Sequence, residues 1–254
     1  ARSFAAAHGA LSSIRSMARM RKSARLWRDP AARALAESAL VRPGSPDCFW
    51  VEPSRLFERN APLEVELGAG KGEFIIERAA AIPEHNFVAV ELAAPVLRIL
   101  ALRVARTGLT NLKVLQADAR TLVNLLLPDG SIGVYHVYFP DPWPKERHAG
   151  HRLFSPYFVA NLARTLAPEG MIYFASDVQG YAQAIRAMFD EGGFCNASQP
   201  VPGLYRTNFG RKYAAEGRAV FSGAFGKPEA AATHSRSASK RTENVSPKVP
   251  SSML

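Results

Sequence analysis

The sequence has no apolar run long enough to cross a bilayer and very little cysteine. Its two cysteines, Cys48 and Cys195, form neither a metal-binding pattern nor a disulfide framework. We therefore expect two ordinary reduced thiols, no metal site and no membrane span. Apolar residues make up 47% of the 254 residues, which suffices for the core of one α/β domain plus extensions.

Acidic residues are absent from the first 28 positions, which hold seven Lys and Arg residues. Residues 227–254 hold five basic and two acidic residues, whereas residues 29–226 hold 20 of each sign. The net charge of +10 therefore belongs to the two ends. Basic ends can attract phosphates or simply keep a chain in solution, so support for nucleic-acid binding has to come from the central stretch.

Composition divides the chain into four parts. Residues 1–28 are predicted to be a basic, disordered segment, either an RNA-binding arm or an organelle transit peptide. Residues 29–62 form an N-terminal extension, residues 63–226 form one domain, and residues 227–254 form a disordered tail. We expect a cytoplasmic protein, or a mitochondrial or plastid one if the first segment is a transit peptide.

The central stretch alternates between short apolar runs rich in Val, Tyr or Phe and helical patterns. The predicted strands are 63–67, 86–92, 111–117, 132–139 and 171–177. The predicted helices are 72–82, 94–108, 119–127, 156–170 and 178–193. This alternation predicts an α/β fold with a doubly wound, mostly parallel sheet, in which ligands bind beyond the carboxyl ends of the strands.

The first predicted strand runs into the motif ELGAGKG, which contains Glu66, Gly68, Gly70 and Gly72. Glycines at this place let the backbone turn sharply and approach a ligand closely. A dinucleotide fold would have another glycine at position 73, where this chain has Glu73. The motif therefore suits an adenosyl ligand without a pyrophosphate, and a plain turn is the alternative.

Two further acids lie at the ends of the next two predicted strands. Glu91, in AVELA, is placed to accept both hydroxyls of a ribose. Asp118, in LQADAR, could face an adenine amine or simply cap the helix that follows. Acids at the ends of three successive strands, with Glu66 the first, resemble the class I S-adenosylmethionine-dependent methyltransferases.

The most distinctive stretch is FPDPWPKERH, residues 139–148, directly after an apolar run. Prolines end strands, and here they flank Asp141 on both sides. The motif is therefore a stiff turn or a carboxylate held at a site. Together with ELGAGKG, AVEL, QADAR and FASD, the stretch YFPDPWPKERHAGHRL resembles the tRNA (guanine-N7-)-methyltransferase family over about residues 63–225.

This resemblance implies methyl transfer from S-adenosylmethionine to N7 of a variable-loop guanine in tRNA. It implies cofactor contacts at Glu66, Gly68, Gly70, Glu91, Asp118 and Asp141. Asp141 is also the implied catalytic residue, and the implied substrate contacts are Lys145, Asp177, Thr207 and Phe209. No metal is implied, and the sequence leaves open whether a partner subunit or a homo-oligomer is needed.

The expected chemistry agrees with a carboxylate at Asp141. Guanine N7 has an exposed lone pair and no proton, so no general base is needed, and positioning with electrostatic support does the work. Basic residues cluster nearby and favour phosphate contact over a merely solvated loop, at Lys145, Arg147, His148, His151 and Arg152. Trp143 and Phe139 could stack on a base, although core packing is the preferred interpretation for Phe139.

One position departs from the family pattern. The late motif in RTNFGRKYAAEGR contains Thr207 and Phe209, but Gly210 stands where the family has an acid. Two alternatives follow. The chain could be an RNA-binding protein that kept the fold without activity, which Gly210 favours. It could also methylate a small molecule or a protein, which the basic residues after Asp141 and between 206 and 218 disfavour.

Overall fold

Eight strands form one sheet among the residues that the computed structural model describes, which are 27–41, 53–143 and 146–227. The strands are β1 Leu40–Val41, β2 Leu63–Leu67, β3 Asn86–Val90, β4 Leu112–Leu115, β5 Ile132–Tyr138, β6 Leu166–Ser176, β7 Cys195–Ala197 and β8 Phe221–Gly226. Their order is β1-β4-β3-β2-β5-β6-β8-β7, and only the pairs that involve β8 are antiparallel. The predicted doubly wound, mostly parallel α/β fold is therefore confirmed.

Helices cover both faces of this sheet. The α-helices are α1 Pro30–Ala39, α2 Pro53–Leu56, α3 Glu73–Ala81, α4 Ala94–Thr107, α5 Ala119–Thr121, α6 Pro156–Thr165, α7 Gln179–Glu191 and α8 Asn208–Ala215. A π-helical turn, Leu122–Leu126, continues α5, and 3₁₀ turns occupy Glu146–His151 and Leu204–Arg206. In the described part of the chain, no helix combines the length and apolarity that a membrane span requires.

The core has two apolar layers, one on each face of the sheet. Phe158 of α6 and Phe189 of α7 are fully buried in one layer. Ala36 of α1, Phe74 of α3 and Leu100 of α4 lie in the other layer. The central strands are buried along their whole length, as expected for parallel strands covered on both faces.

Part of the segment 29–62 belongs to this architecture. Asp29 caps α1 by accepting the backbone N–H of Ala31 at 3.0 Å. The helix leads directly into β1, which pairs with β4 at the edge of the sheet. The described part of this segment therefore extends the sheet by one strand.

The prediction of a helix over 156–170 is wrong in its last five residues. Helix α6 begins at the Ser155 cap and ends at Thr165, and Leu166 already pairs with Ile132 as the first residue of β6. Pro168 has no amide proton to donate to a helix. Glu169 has a φ of 60°, which a helix does not allow.

The predicted helix 119–127 is a short α-helix followed by a π-turn. A π-turn leaves backbone carbonyls in wider spacing than an α-helix. The Arg164 guanidinium donates to two of the nearby carbonyls, Val123 at 2.9 Å and Leu127 at 3.0 Å. It also pairs with Asp129 at 2.6 Å. Arg164 of α6 therefore supports the π-helical turn, which the local sequence does not predict.

Strands β2 and β5 lie side by side, but the chain leaves them toward opposite edges of the sheet. This reversal opens a crevice at their carboxyl ends, which is where doubly wound sheets bind ligands. The motif ELGAGKG begins at the carboxyl end of β2, and FPDPW directly follows β5. The fold thus places the two motifs on either side of one crevice.

Candidate active site

A cavity of about 540 Å³ occupies this crevice. Eight of the predicted site residues line it, namely Glu66, Gly68, Gly70, Glu91, Asp118, Asp141, Thr207 and Phe209. Asp177 is not among the lining residues. The predicted substrate contact Lys145 lies outside the described residues.

The glycine loop has the conformation that the motif predicts. Gly68 and Gly70 have φ values of 83° and 58°, in the left-handed region that favours glycine. A Cβ atom on either residue would meet no atom within 4 Å, so both backbones border open space in the cavity. Gly72 serves packing instead, because a Cβ there would lie 2.4 Å from Leu100 Cδ1.

Glu66 places a buried carboxyl group at the base of the cavity. Its side chain is 4% exposed, and its Oε2 atom has no hydrogen-bond partner. Burial raises the pKa of Glu66 well above its usual value, and the nearby carboxylates of Glu73 and Glu91 act in the same direction. A buried acceptor without a partner is costly, so this atom is suited to a donor on a ligand.

Glu91 fixes the glycine loop. One carboxylate oxygen accepts the Gly70 N–H at 3.0 Å, and the other accepts the Ala93 N–H at 2.8 Å. Burial raises the pKa of Glu91, the backbone N–H groups oppose that shift, and the negative charge of Asp141 adds slightly to it. The carboxylate lies at the cavity surface and keeps lone pairs for further donors.

Asp118 caps the helix that follows it and also lines the cavity. Its Oδ1 accepts the Thr121 N–H at 2.9 Å, which is the cap that the sequence offered as one interpretation. Arg120 approaches the same oxygen at 4.0 Å. Its second oxygen remains an acceptor toward the cavity, so the two interpretations are compatible.

Asp141 lies between two residues with unusual backbone conformations. Phe139 has a φ of 54° and Trp143 a φ of 39°, although neither is glycine. Such strain persists only where surrounding contacts hold it, and it concentrates at functional sites. The Arg152 guanidinium holds this turn by donating to the carbonyls of Pro142 at 3.1 Å and Trp143 at 3.2 Å. Arg152 therefore supports the turn, in addition to the phosphate contact predicted from sequence.

Aromatic rings border the cavity on both sides of Asp141. Phe139 is half-buried and packs against Phe209 at 6.0 Å and Tyr213 at 5.3 Å between ring centroids. This packing agrees with the preferred interpretation of Phe139. Trp143 and Phe209 both line the cavity and keep 37% and 46% of their surface exposed, so each side chain is partly accessible to a ligand.

The presence of glycine at position 210 has a steric explanation. Thr207 caps α8 by accepting the Gly210 N–H at 2.8 Å, and its hydroxyl donates to the Leu204 carbonyl at 3.1 Å. A Cβ on Gly210 would lie 2.0 Å from that same carbonyl oxygen. The turn before α8 therefore has no room for the acid that the family pattern places at this position.

Asp177 belongs to a neighbouring cluster. Its carboxylate pairs with Arg218 at 2.5 Å, and the Arg218 guanidinium lies 4.1 Å from the centre of the Tyr213 ring. Burial raises the pKa of Tyr213, and Asp177 strengthens that shift. Because Tyr213 also touches Phe139, this cluster adjoins the aromatic border of the cavity.

Sequence reasoning missed some residues at the site. Lys71 and Tyr138 line the cavity, and Tyr138 contacts the buried side chain of His136, which in turn contacts Glu64. Glu64 and His136 could have been noticed as polar residues inside otherwise apolar strands, in LEVEL and IGVYHVYF. Such a pattern indicates a buried polar pair but does not say which residues meet.

Among the lining residues that the structure describes, acids outnumber Lys and Arg. Its acids are Glu66, Glu73, Glu91, Asp118 and Asp141, and its Lys and Arg residues are Lys71 and Arg120. Of these acids, Glu73 pairs with Arg103 at 2.8 Å, and burial raises the pKa of Glu66 and so favours its uncharged form. The cavity is therefore suited to a ligand with net positive charge.

Comparison with solved structures defines the class of fold. The crystal structure of the 16S rRNA methyltransferase KamB aligns with a TM-score of 0.52 at 19% identity, covering 70% of this chain and 93% of KamB. The chain thus shares its fold with that methyltransferase. A family model described as "Putative methyltransferase" matches residues 60–222, and the chain belongs to this methyltransferase family.

Similar curated proteins agree with one another in name. A tRNA (guanine-N(7)-)-methyltransferase of Nitrosomonas eutropha is 41% identical over 155 residues, which are 60% of this chain and 68% of that protein. The enzyme of the same name from Psychromonas ingrahamii is 36% identical over 150 residues, 59% of this chain. The chain spans 62% of the length of the Psychromonas protein.

Proposed function

We propose that this protein transfers a methyl group from S-adenosylmethionine to N7 of a guanine in tRNA. Family membership and the names of the similar proteins support the reaction class and the RNA substrate. The observation that carries the proposal is the strained turn, in which Asp141 lies between Phe139 and Trp143 and faces the same cavity as the glycine loop.

The cavity fits the cofactor. Gly68 and Gly70 present bare backbone to it, and Glu66 presents a buried acceptor without a partner. In this proposal each carboxylate accepts hydrogen bonds from one part of the cofactor. Glu66 accepts from the amino group, Glu91 from the ribose hydroxyls, and Asp118 from the adenine amine. When bound, the cofactor supplies an electrophilic methyl group on a sulfonium. The excess of acids favours this cation over the neutral thioether product, which assists product release.

Asp141 is the proposed catalytic residue. Guanine N7 attacks with its lone pair, so no side chain has to remove a proton first. The Asp141 carboxylate accepts hydrogen bonds from guanine N1–H and the 2-amino group, and it offsets the positive charge that develops on the ring. Pro140 and Pro142 restrict the backbone on either side, so the carboxylate is held in place before the substrate arrives.

The RNA side of the site is proposed to include Trp143 and Phe209. Both rings are partly exposed at the cavity, and a splayed base stacks on such rings. Lys145, Arg147 and His148 follow the turn and supply phosphate contacts in this proposal. In this proposal Thr207 forms part of the cavity wall that contacts the RNA. Asp177 contacts the substrate from the edge of that wall, where its carboxylate pairs with Arg218.

Gly210, which favours the alternative of an RNA-binding protein without activity, also has a steric role. Its missing side chain matches a turn in which a Cβ would overlap a backbone carbonyl, so the residue is built into the site.

The test is nucleoside analysis of tRNA incubated with the full-length protein and methyl-labelled S-adenosylmethionine. The proposal predicts label in N7-methylguanosine. A matched tRNA that carries 7-deazaguanosine at the modified position should accept none. Bound cofactor with no transfer would support an RNA-binding protein without activity. Label in another nucleoside, or only in a protein or small molecule, would overturn the proposed substrate.

A further inference from the structure

A buried chain of hydrogen bonds lies behind the cavity and reaches the loop of residues 198–206. This loop leads to the part of the cavity wall formed by Thr207 and Phe209, which is called the RNA-side wall. At its far end, Glu64 is 1% exposed and receives hydrogen bonds from Arg78, with Nη2 at 3.0 Å from Oε1. His85 Nδ1 lies 2.9 Å from the same oxygen. The other oxygen of Glu64 lies 2.8 Å from His136 Nε2. Glu64 thus fixes one side of a fully buried imidazole.

The other side of His136 faces Tyr138. The imidazole Nδ1 lies 2.9 Å from the Tyr138 hydroxyl, and that hydroxyl donates to the carbonyl oxygen of Pro202 at 3.0 Å. The phenolic proton therefore faces two acceptors when His136 is neutral, and only the Pro202 carbonyl when Nδ1 also carries a proton. Either way, the hydroxyl is held between the strand and the loop.

Other contacts attach the same loop to the body of the protein. Gly203 has a φ of 56°, and a Cβ there would lie 2.6 Å from the Phe74 ring, so the loop lies directly on α3. Arg206 pairs with Glu77 of α3 at 2.9 Å. Upstream, the Tyr173 hydroxyl, from the strand next to β5, donates to Gln199 at 3.0 Å. Both phenol rings contact His136, which stacks on the Tyr173 ring at 5.6 Å and lies 5.7 Å from the Tyr138 ring.

This loop ends in the wall of the cavity. The Leu204 carbonyl accepts the Thr207 hydroxyl, and Thr207 caps the helix whose second residue is Phe209. Thr207 and Phe209 line the cavity, and Phe209 packs on Phe139, the residue directly after Tyr138. A displacement of the loop at Pro202 would therefore move the ring that faces the substrate.

We infer that Tyr138, held by His136 and Glu64, is a positioning residue that sets the RNA-side wall formed by Thr207 and Phe209. The inference rests on the proposed function, since it assigns that wall to RNA. The inference also gives two neighbouring residues different roles. Tyr138, the last residue of β5, acts through the loop, whereas Asp141, just beyond β5, acts on the base itself.

The test is Tyr138→Phe, which keeps the ring and removes the hydroxyl. Tyr135→Phe is the matched control, because Tyr135 is a buried phenol on the same strand whose hydroxyl lies 2.7 Å from Thr165 on the opposite face. One lost hydrogen bond of about 1 kcal/mol predicts a rise of about fivefold in KM for tRNA. We expect kcat to stay within about twofold, because the Tyr138 hydroxyl is engaged by His136 and Pro202 and no transition-state contact is lost.

A double-mutant cycle and hydrogen exchange complete the test. In a Phe209→Ala background the effect of Tyr138→Phe on KM should shrink, because both changes act on one wall. Backbone amides 203–210 should exchange faster in Tyr138→Phe than in Tyr135→Phe. If Tyr138→Phe does not fold, Tyr173→Phe takes its place in the same measurements, with a smaller effect in the same direction.

The inference is overturned if KM and the exchange of amides 203–210 equal those of the wild type, or if Tyr135→Phe raises KM equally. It is also overturned if only kcat falls. If the wild type transfers no methyl group, the proposed function fails, and unchanged exchange in Tyr138→Phe would separately reject the positioning role.

Discussion

Glu91 accepts the backbone N–H of Gly70 at 3.0 Å, so the acid that follows β3 fixes the glycine loop that follows β2. The two motifs that the sequence places 21 residues apart are one unit in the structure. Glu91 thus has two duties in this account: it shapes the loop through one hydrogen bond and holds a ribose with its remaining lone pairs.

Replacing Glu91 by Ala should therefore weaken cofactor binding at least about tenfold, since hydrogen bonds to an ionised group contribute about 1.5–3 kcal/mol. Isothermal titration of the folded variant measures the change. Glu84→Ala, at an exposed position before the amino end of β3, is the control and should bind as the wild type does. Unchanged affinity in Glu91→Ala would rule out the ribose assignment.

Cofactor affinity should rise with pH because of Glu66. Burial raises the pKa of this carboxyl group, so the free protein keeps its proton to higher pH than an exposed glutamate would. A cationic amino group favours the ionised form, so binding releases a proton, and affinity increases until the pH exceeds the pKa of the free protein. Titration calorimetry in buffers of different ionisation enthalpy measures the released proton.

Glu66→Gln provides the control for that pH dependence. The neutral amide should bind the cofactor more weakly, and its affinity should not change with pH in the same range. The raised pKa also means that Glu66 lowers the free energy of unfolding as pH rises above the usual glutamate value. The unliganded variant should therefore be more stable than the wild type at neutral pH. A proton release that persists in Glu66→Gln would assign it to another group.

Acid should destabilise the protein through Glu64. Its hydrogen bonds to His136 and Arg78 outweigh the effect of burial and lower the pKa of Glu64 to about 2. The stabilisation is present above the usual glutamate value and is lost as pH falls toward the lowered value, a contribution of about 3 kcal/mol. Burial lowers the pKa of His136, so protonation of that imidazole at low pH acts in the same direction.

Denaturant unfolding of wild type and Glu64→Gln over a range of acidic pH checks this contribution. The variant should be less stable at neutral pH, because Arg78 and His136 lose their charged partner, and its stability should depend less on pH. Asp129→Asn is the control, since that carboxylate is mostly exposed and pairs with Arg164 at the surface. An equal pH dependence in wild type and Glu64→Gln would refute the assignment.

Restoring an acid at position 210 should damage the protein. In Gly210→Glu a Cβ would approach the Leu204 carbonyl to 2.0 Å, so the turn has to open. We expect a loss of about 1–3 kcal/mol in the free energy of unfolding, together with a higher KM for tRNA. Gly180→Ala is the control, because that helical glycine has open space around it and alanine favours helices. A more active Gly210→Glu protein would show that the missing acid limits the proposed methyl transfer.

The parallel sheet and most of the site were predictable because they depend on local patterns. Strand ends follow from apolar runs, and Glu66, Glu91, Asp118 and Asp141 all lie at or just beyond the ends of such runs. Parallel strands bring their carboxyl ends to one edge, so these acids had to meet.

What could not be predicted depends on contacts between distant residues. Glu64 and His136 are 72 residues apart, and Asp177 is 41 residues from its partner Arg218. The early end of α6 is another example, because pairing of Leu166 with β5 outweighs the helical pattern. Local periodicity contains no information about such pairs.

The most direct test of the central claim is single-turnover methyl transfer to tRNA by Asp141→Asn, with cofactor affinity measured in parallel. Asparagine is nearly isosteric and suits the turn, but it loses the charge and presents a donor where guanine also donates. We predict normal folding, near-normal cofactor affinity and a transfer rate that is lower by about two orders of magnitude. Transfer at the wild-type rate would contradict the account, because the strained turn would then serve only as a scaffold.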